Sequence, residues 1–297
     1  MIGELAALGA AISWTVSAIL YKRALSQAKP TSANIARLTY TGAILLAFVI
    51  LIGRSGALTS LSANVIALAC ISGIIGLGAG DTLYMVSLKS VGVARAVPIT
   101  CTYPLFNLLW ATLWTHETVT FPVVAGAVAI VFGIWLLSQP KRLGETDEPK
   151  KVLLKGVVFA LATAILWSIS ITMINIAVKE TPDLEHALAV NTIRVIAVAG
   201  MLLVVSPIIE RGSGFRKLSK KTAATLIAGG IVALGVGWFF LTYSFIETLE
   251  SRAVPISSTT PLFSTLAGIA LLHEKVTARN ALGSIMIVTG IFLIFLV

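Results

Sequence analysis

Apolar residues along this chain come in long runs. They lack both the alternation of a half-buried strand and the narrow stripe of a surface helix. Ten runs approach the about 20 apolar residues that an α-helix needs to cross a bilayer. In the first half they cover residues 3–21, 32–52, 63–88, 93–114 and 119–138. In the second half they cover 154–178, 187–208, 222–247, 250–271 and 277–297. The longest polar break is SQPKRLGETDEPKK, Ser138 to Lys151. The pattern predicts an all-α integral membrane protein with ten transmembrane helices. Two five-helix units, 1–138 and 152–297, would flank a linker loop at 139–151.

The two halves match each other. RAVPITCTYPLF (Arg95–Phe106) returns as RAVPISSTTPLF (Arg252–Phe263), 157 residues later. At that same offset of 157, His116–Glu117 returns as His273–Glu274, and Gly78 and Gly80 as Gly235 and Gly237. Gly126 and Gly133 return as Gly283 and Gly290, and Asn34 and Arg37 as Asn191 and Arg194. Only the first helix slips, with Trp14 matching Trp167 at an offset of 153. A unit with an odd number of spans forces its copy to enter the membrane in the opposite sense. The expectation is an inverted repeat about an axis in the membrane plane, a natural basis for alternating access to a midplane site.

The repeated prolines raise a structural question, because proline removes a backbone donor and clashes with the preceding turn. Pro98 and Pro255 fall near helix starts, where no bond is lost. Pro104 and Pro261 fall within helices four and nine and should free the carbonyls of Thr100 and Ser257. In hydrocarbon such carbonyls need a partner, and the hydroxyls of TCTY (Thr100–Tyr103) and SSTT (Ser257–Thr260) are at hand. Kinks at Pro104 and Pro261 around a shared, partly wet cavity are expected. A kink that only improves packing is the alternative.

Composition strengthens the membrane reading. The residues are 57% hydrophobic and 12% charged, against about 45–50% and about 25% in soluble domains. The N-terminus has no basic region before its first apolar run, which argues against a cleavable signal peptide. The net charge of +9 could suggest nucleic acid, but the basic residues sit in short loops, where they orient a membrane protein. Loops after the odd-numbered helices hold 17 of the 22 Lys and Arg, and the other side holds 3. That bias places the odd-numbered loops in the cytoplasm and both termini outside a plasma membrane. Cys70 and Cys101 lie within apolar runs and read as packing residues, with no metal spacing or disulfide framework.

Candidate chemistry centres on Asp81, a carboxylate inside helix three. An intramembrane acid faces a cavity or a partner. It could couple protons, bind a substrate amine, or form an ion pair with Arg95, Lys89 or Arg37. Arg37 and Arg194 could hold a carboxylate or phosphate by two parallel bonds, or snorkel to the interface. Trp14, Trp167 and Trp238, with Tyr84, Tyr103, Asn107, Tyr243 and Thr260, complete a lining set of aromatic and polar groups suited to a small molecule. Each could equally be packing. The glutamates of the two His-Glu turns read as caps of the next helix, since HETVTF and HEKVTA lack the HExxH zinc spacing. No catalytic constellation, metal site, cofactor or Walker sequence is evident.

Ten helices in two repeats, a tryptophan in helices one and six, RAVPITCTYPLF, and a glutamate in the turn after helix four together resemble the EamA family. That family lies within the drug/metabolite transporter superfamily, and the resemblance covers nearly the whole chain. It implies a secondary transporter. Helices one to four and six to nine would enclose a cavity, with helices five and ten as outer supports. It implies both ends in the cytoplasm, against the charge count. The family's turn motif is commonly Gly-Glu, where this chain has His-Glu twice. The expected function is secondary active transport of a small metabolite, such as an amino acid, with proton coupling through Asp81 as an option. The alternatives are a membrane enzyme acting on lipid and a non-transporting scaffold or sensor. The expected partners are a small-molecule substrate and membrane lipids, no nucleic acid, and a homodimer as an open assembly.

Overall fold

A computed structural model describes residues 1–25, 27–91, 96, 99–137, 150–210, 214–263, 266 and 278–296. The linker expected at 139–151, up to residue 149, lies outside these residues, as do Arg95, Pro98, His273 and Glu274. The described residues are almost all helical, and none forms a strand.

The first half contains α1 (Ile2–Leu25), α2 (Pro30–Leu51), the short α3 (Ser55–Thr59) and α4 (Ala63–Gly73). A π-helical segment, Ile74–Gly80, joins α4 to α5 (Asp81–Val91), and α6 (Tyr103–Leu113) and α7 (Phe121–Leu137) follow. The second half contains α8 (Lys150–Lys179), α9 (Leu184–Glu210) and α10 (Lys220–Gly230). A second π-helical segment, Ile231–Gly237, leads into α11 (Trp238–Glu247), followed by α12 (Glu250–Ser257) and α13 (Ala278–Phe295). Six stretches among the described residues are long and apolar enough to cross a membrane. They are Ile2–Leu25, Pro30–Leu51, Ala63–Tyr84, Leu154–Lys179, Leu184–Ile208 and Lys220–Glu247. The apolar helices Phe121–Leu136 and Ala281–Phe295 are shorter. Large apolar side chains such as Phe48, Leu51, Val204, Ile208 and Phe292 point outward, which suits a lipid solvent.

Local chemistry repeats along with the sequence. Ser62 caps α4 by accepting from Val65 N at 3.2 Å, and Ser219, its match 157 residues on, caps α10 from Thr222 N at 3.2 Å. Such caps satisfy backbone donors that a helix start leaves orphaned. Pro30 opens α2, where a missing N–H costs nothing. The two π-helical segments also stand 157 residues apart. Each inserts extra backbone into a glycine-rich turn and re-aims the residue that follows it.

Helices of one half pack against helices of the other. The first helix, α1, lies against α10, α11 and α12, and its counterpart α8 lies against α4, α5 and α6. α2 packs on α9, and α7 packs on α13 along its length. A Cβ on Gly126 would come 2.7 Å from the Gly290 carbonyl oxygen, and one on Gly133 would come 2.6 Å from that of Gly283. Residue numbers rise in α7 as they fall in α13, so these equivalent helices run antiparallel, with backbones touching where no side chain intervenes.

The prolines fall differently from the sequence expectation. Helix four breaks at Cys101–Thr102 and helix nine at Ser258–Thr259. Pro104 and Pro261 therefore sit in the first turn of the next helical piece, not in an interior. Pro255, expected in a first turn, is the sixth residue of α12. The hydroxyls do serve the breaks: Thr102 Oγ1 donates to Ile99 O at 2.7 Å, Ser258 Oγ to Pro255 O at 2.7 Å and Thr259 Oγ1 to Ile256 O at 2.7 Å.

Candidate functional site

Two buried arginines at equivalent positions on α2 and α9 organise the polar interior. Asn34 and Asn191, one turn before them, each donate to a carbonyl in a π-helical segment, Leu77 O at 3.3 Å and Leu234 O at 2.8 Å. Asn34 Oδ1 also accepts from Arg37 Nε at 2.8 Å. Arg37, one of the three candidate partners, forms an ion pair with Asp81. The ring of Tyr21 lies 4.9 Å from the Arg37 guanidinium. Trp167 Nε1 donates to the other Asp81 oxygen at 2.9 Å. Asp81 is thus a charge-paired, doubly engaged group at the end of the π-helical segment.

The second copy has Trp238 where the first has Asp81, and the chemistry changes accordingly. Arg194 lies over the Trp238 ring at 3.6 Å, a cation–π contact. Its Nη2 donates to Ser170 Oγ at 2.8 Å. Its Nε and Nη1 have no hydrogen-bond partner, although the residue is fully buried. Asp81 is within Coulombic reach of Arg194, beyond ion-pair distance. The site therefore presents one spare guanidinium edge and, nearby, a carboxylate already neutralised.

Tryptophans of the two first helices insert into the opposite copy. Trp167 packs where a Cβ on Gly80 would be 2.8 Å away, and Trp14 where one on Gly237 would be 2.6 Å away. Trp14 Nε1 donates to Ala233 O at 3.2 Å and its ring meets Trp238 edge-on at 5.5 Å. Tyr84 and Tyr103 lie 5.1 and 6.1 Å from the Trp167 ring. Trp14, Tyr84, Trp167 and Trp238 are half-buried, while Tyr103 is buried. The expected residues Trp14, Asp81, Tyr84, Tyr103, Trp167, Arg194 and Trp238 thus form one connected set. Thr260 lies beside it against α1, donating to Ala11 O at 3.3 Å and accepting, through its carbonyl, from Thr15 Oγ1 at 3.1 Å. Tyr243 is elsewhere, its hydroxyl bonded to Glu247 at 3.2 Å on an exposed face.

Asn107 belongs to a different cluster, around Glu250. Glu250, which opens α12 and was not among the expected site residues, is fully buried. Its carboxylate accepts from Asn107 Nδ2 at 2.6 Å, Thr172 Oγ1 at 2.5 Å and Asn175 Nδ2 at 2.7 Å. Glu117 stands beside it. Glu117 Oε1 and Oε2 accept from the backbone N–H groups of Glu250 and Ser251, each at 3.0 Å, and Lys179 Nζ lies 3.2 Å away. Glu117 therefore caps a helix, as expected, but it caps α12 of the other half and not the helix that follows it. His116 sits at φ 53°, in left-handed backbone that glycine favours, which explains why Gly-Glu suits this turn. No group of three or more His, Cys, Asp or Glu that could hold a metal occurs among the described residues.

The model of the EamA-like transporter family matches residues 1–139 and again 154–296. The chain belongs to the EamA-like transporter family. A transporter of Archaeoglobus fulgidus, named as uncharacterized, is 23% identical over 296 residues, covering 100% of this chain and 99% of its own. The glucose uptake protein GlcU of Staphylococcus xylosus is 29% identical over 257 residues, 84% of this chain and 82% of its own. A probable glucose uptake protein GlcU of Priestia megaterium is 26% identical over 223 residues, 73% of this chain and 72% of its own. A solved crystal structure superposes with a TM-score of 0.79 at 20% identity, covering 99% of this chain and 96% of that one, which shows a shared fold. The protein is a membrane transporter of the EamA type.

Proposed function

We propose that this EamA-type transporter is a secondary active carrier of a small zwitterionic metabolite such as an amino acid. It would work by alternating access between two inverted five-helix repeats, ten spans in all, at 1–138 and 152–297. The antiparallel crossing of α7 and α13 supports the inverted arrangement. One observation carries the substrate class. Arg194 is fully buried with Nε and Nη1 unpartnered, and a buried guanidinium edge of that kind matches a carboxylate by two parallel bonds. Asp81, across the same set, is the group to meet a substrate amine, releasing Arg37 as it does so. Trp14, Trp167 and Trp238 supply apolar and π surface. A proton carried by Asp81 would couple transport to pH.

A second reading follows from the relatives named as glucose uptake proteins. In it the cargo is a hexose, stacked on the same tryptophans, and Arg194 bonds to hydroxyls. The two readings separate in a thermal-shift series on the detergent-purified protein. A zwitterionic amino acid should raise the melting temperature, and its decarboxylated amine should not. In liposomes the same solute should move, Arg194→Gln should abolish its uptake, and Asp81→Asn should change the pH dependence. Stabilisation by hexoses alone would overturn the amino-acid reading, and an unchanged pH profile would remove Asp81 from coupling.

The charge bias supports a plasma-membrane protein with odd-numbered loops in the cytoplasm and both termini outside. Single cysteines placed between residues 138 and 151 should resist impermeant thiol reagents in intact cells. Labelling from outside would reverse the orientation.

A further inference from the structure

We propose that Glu250 is a proton-binding site separate from Asp81, built where α12 meets α6 and α8. Asp81 has a cation against it, Arg37. Glu250 is fully buried, and its three side-chain donors, Asn107, Thr172 and Asn175, are all neutral. Beside it stand Glu117, which accepts from the Glu250 N–H at 3.0 Å, and Lys179, engaged with Glu117 at 3.2 Å. Two carboxylates and one ammonium carry one unbalanced negative charge, which a proton on Glu250 cancels. The other helices against α12 supply no counter-charge. α7 has no titratable residue and α6 only Tyr103. α1 brings Glu4, paired with the N-terminal ammonium at 2.7 Å, and α11 ends in Glu247, bonded to Tyr243 at 3.2 Å. Arg279 opens α13 at the end that packs on the close of α7, away from Glu117. None of these groups, nor Arg252 on α12 itself, bonds the Glu250 carboxylate among the described residues.

The second observation is the Thr172 hydroxyl, which has two places to send its hydrogen. With Glu250 ionised it donates to Oε1 at 2.5 Å. The Ser168 carbonyl, 3.2 Å from the same hydroxyl, is the other acceptor, in the i−4 bond open to a helical threonine. With a proton on Oε1, the carboxyl donates to Thr172 and Thr172 donates to Ser168 O. A hydroxyl both donates and accepts, so rotating one hydrogen completes the exchange. Asn107 Nδ2 keeps its bond to Oε1 at 2.6 Å, and Asn175 Nδ2 keeps its bond to Oε2 at 2.7 Å. Neither amide turns, and no side-chain donor loses its acceptor in either state. An N–H lining turns away a metal cation and tolerates a proton.

The site exists once. By the repeat offsets, Glu250, Asn107, Asn175 and Thr172 correspond to Val93, Ser264, Lys22 and Ile19. Its residues come from α6, α8 and α12, so both halves contribute. Moving α12 away from α6 and α8 takes the carboxyl out of this pocket, which would tie proton occupancy to alternating access. Only that link rests on the transporter reading. Proton binding itself can be measured without solute or flux.

The test uses the full chain purified in detergent, with no solute added. Infrared spectra are recorded in steps from acid to alkaline buffer, in light and heavy water. The wild type minus Glu250→Gln difference should show a protonated-carboxyl C=O band in acid that shifts in heavy water. As pH rises, that band should give way to carboxylate bands. Asn175→Ala keeps the carboxyl and removes an N–H that binds an anion more strongly than a neutral acid. Its midpoint should move toward alkaline pH, by about tenfold or more in proton concentration. The exposed Glu180→Gln should leave the midpoint where it is. A Glu250 band present at every pH, or at none, would overturn the proposal. So would a midpoint unmoved by Asn175→Ala, which would assign the titration to another acid.

Discussion

Removing the Glu117 carboxylate tests how the two halves are joined. In Glu117→Ala the N–H groups of Glu250 and Ser251, each held at 3.0 Å, lose their acceptor. They open α12, so no preceding helical turn can take them. Stranding a buried donor costs about 1–3 kcal/mol, and two of them cost about 2–6 kcal/mol. Lys179 is 38% exposed on its side chain and can turn to water, so the lost ion pair adds about 0–1 kcal/mol. At about 2–4 °C per kcal/mol, the melting temperature should fall by about 4–28 °C. Glu117→Gln keeps one acceptor oxygen and should lose roughly half as much. The control is Glu180→Ala, an exposed acid that bonds Ser62 and Asn64. Hydrogen exchange gives a local readout, since the amides of Glu250 and Ser251 should exchange faster while those of α7 do not. If Glu117→Ala melts within about 2 °C of Glu180→Ala, the inter-repeat cap contributes nothing and the reasoning fails.

Asp81→Asn should destabilise by about 3–5 kcal/mol by stranding the Arg37 guanidinium, and replacing both with Leu and Met should recover most of that loss. Equal, additive losses in a double-mutant cycle would dissolve the pair. Gly133→Leu should cost at least about 1–3 kcal/mol, because its Cβ would meet the Gly283 carbonyl oxygen at 2.6 Å. The same change at Gly200, with nothing within 4 Å, should be close to neutral, and similar losses at both would refute backbone contact between α7 and α13. Asp183 accepts from His186 N at 2.8 Å at the start of α9, and Asp183→Ala should cost about 1 kcal/mol in thermal melts. Burial would raise its carboxyl, but the backbone N–H and ring of His186 together hold it below the usual range. Its contribution is therefore complete above an unfolded value of about 3.9 and fades as pH falls through the lower folded value. The Asp183→Ala difference should narrow in that acid window and nowhere above it.

Much of the helical layout was legible in one dimension. Long apolar runs mark helices because an α-helix satisfies its backbone within itself. The constant offset of 157 marks a copy because a duplicated unit repeats its caps and glycines, as Ser62 and Ser219 do. Gly126, Gly133, Gly283 and Gly290 were legible as repeated positions, but their antiparallel pairing was not. The π-helical turns escaped notice too. Their glycines were visible, but not that the indoles of Trp14 and Trp167 pack against Gly237 and Gly80 from the other half.

What tertiary structure alone decided is where buried charges find partners. Asp81 had three candidate cations along the chain, and helix packing brings Arg37 of α2 against it. Glu117 looked like a cap for its own next helix, and only the contact with α12 showed which N–H groups it serves. Glu250 stands at the start of the apolar run 250–271 and carried no signal of its own in the sequence. Its full burial among Asn107, Thr172 and Asn175 arises because α6 and α8 close over it. Periodicity and repetition are written in neighbouring residues, whereas the partner of a buried polar group is set by which distant helices cross, and at what depth.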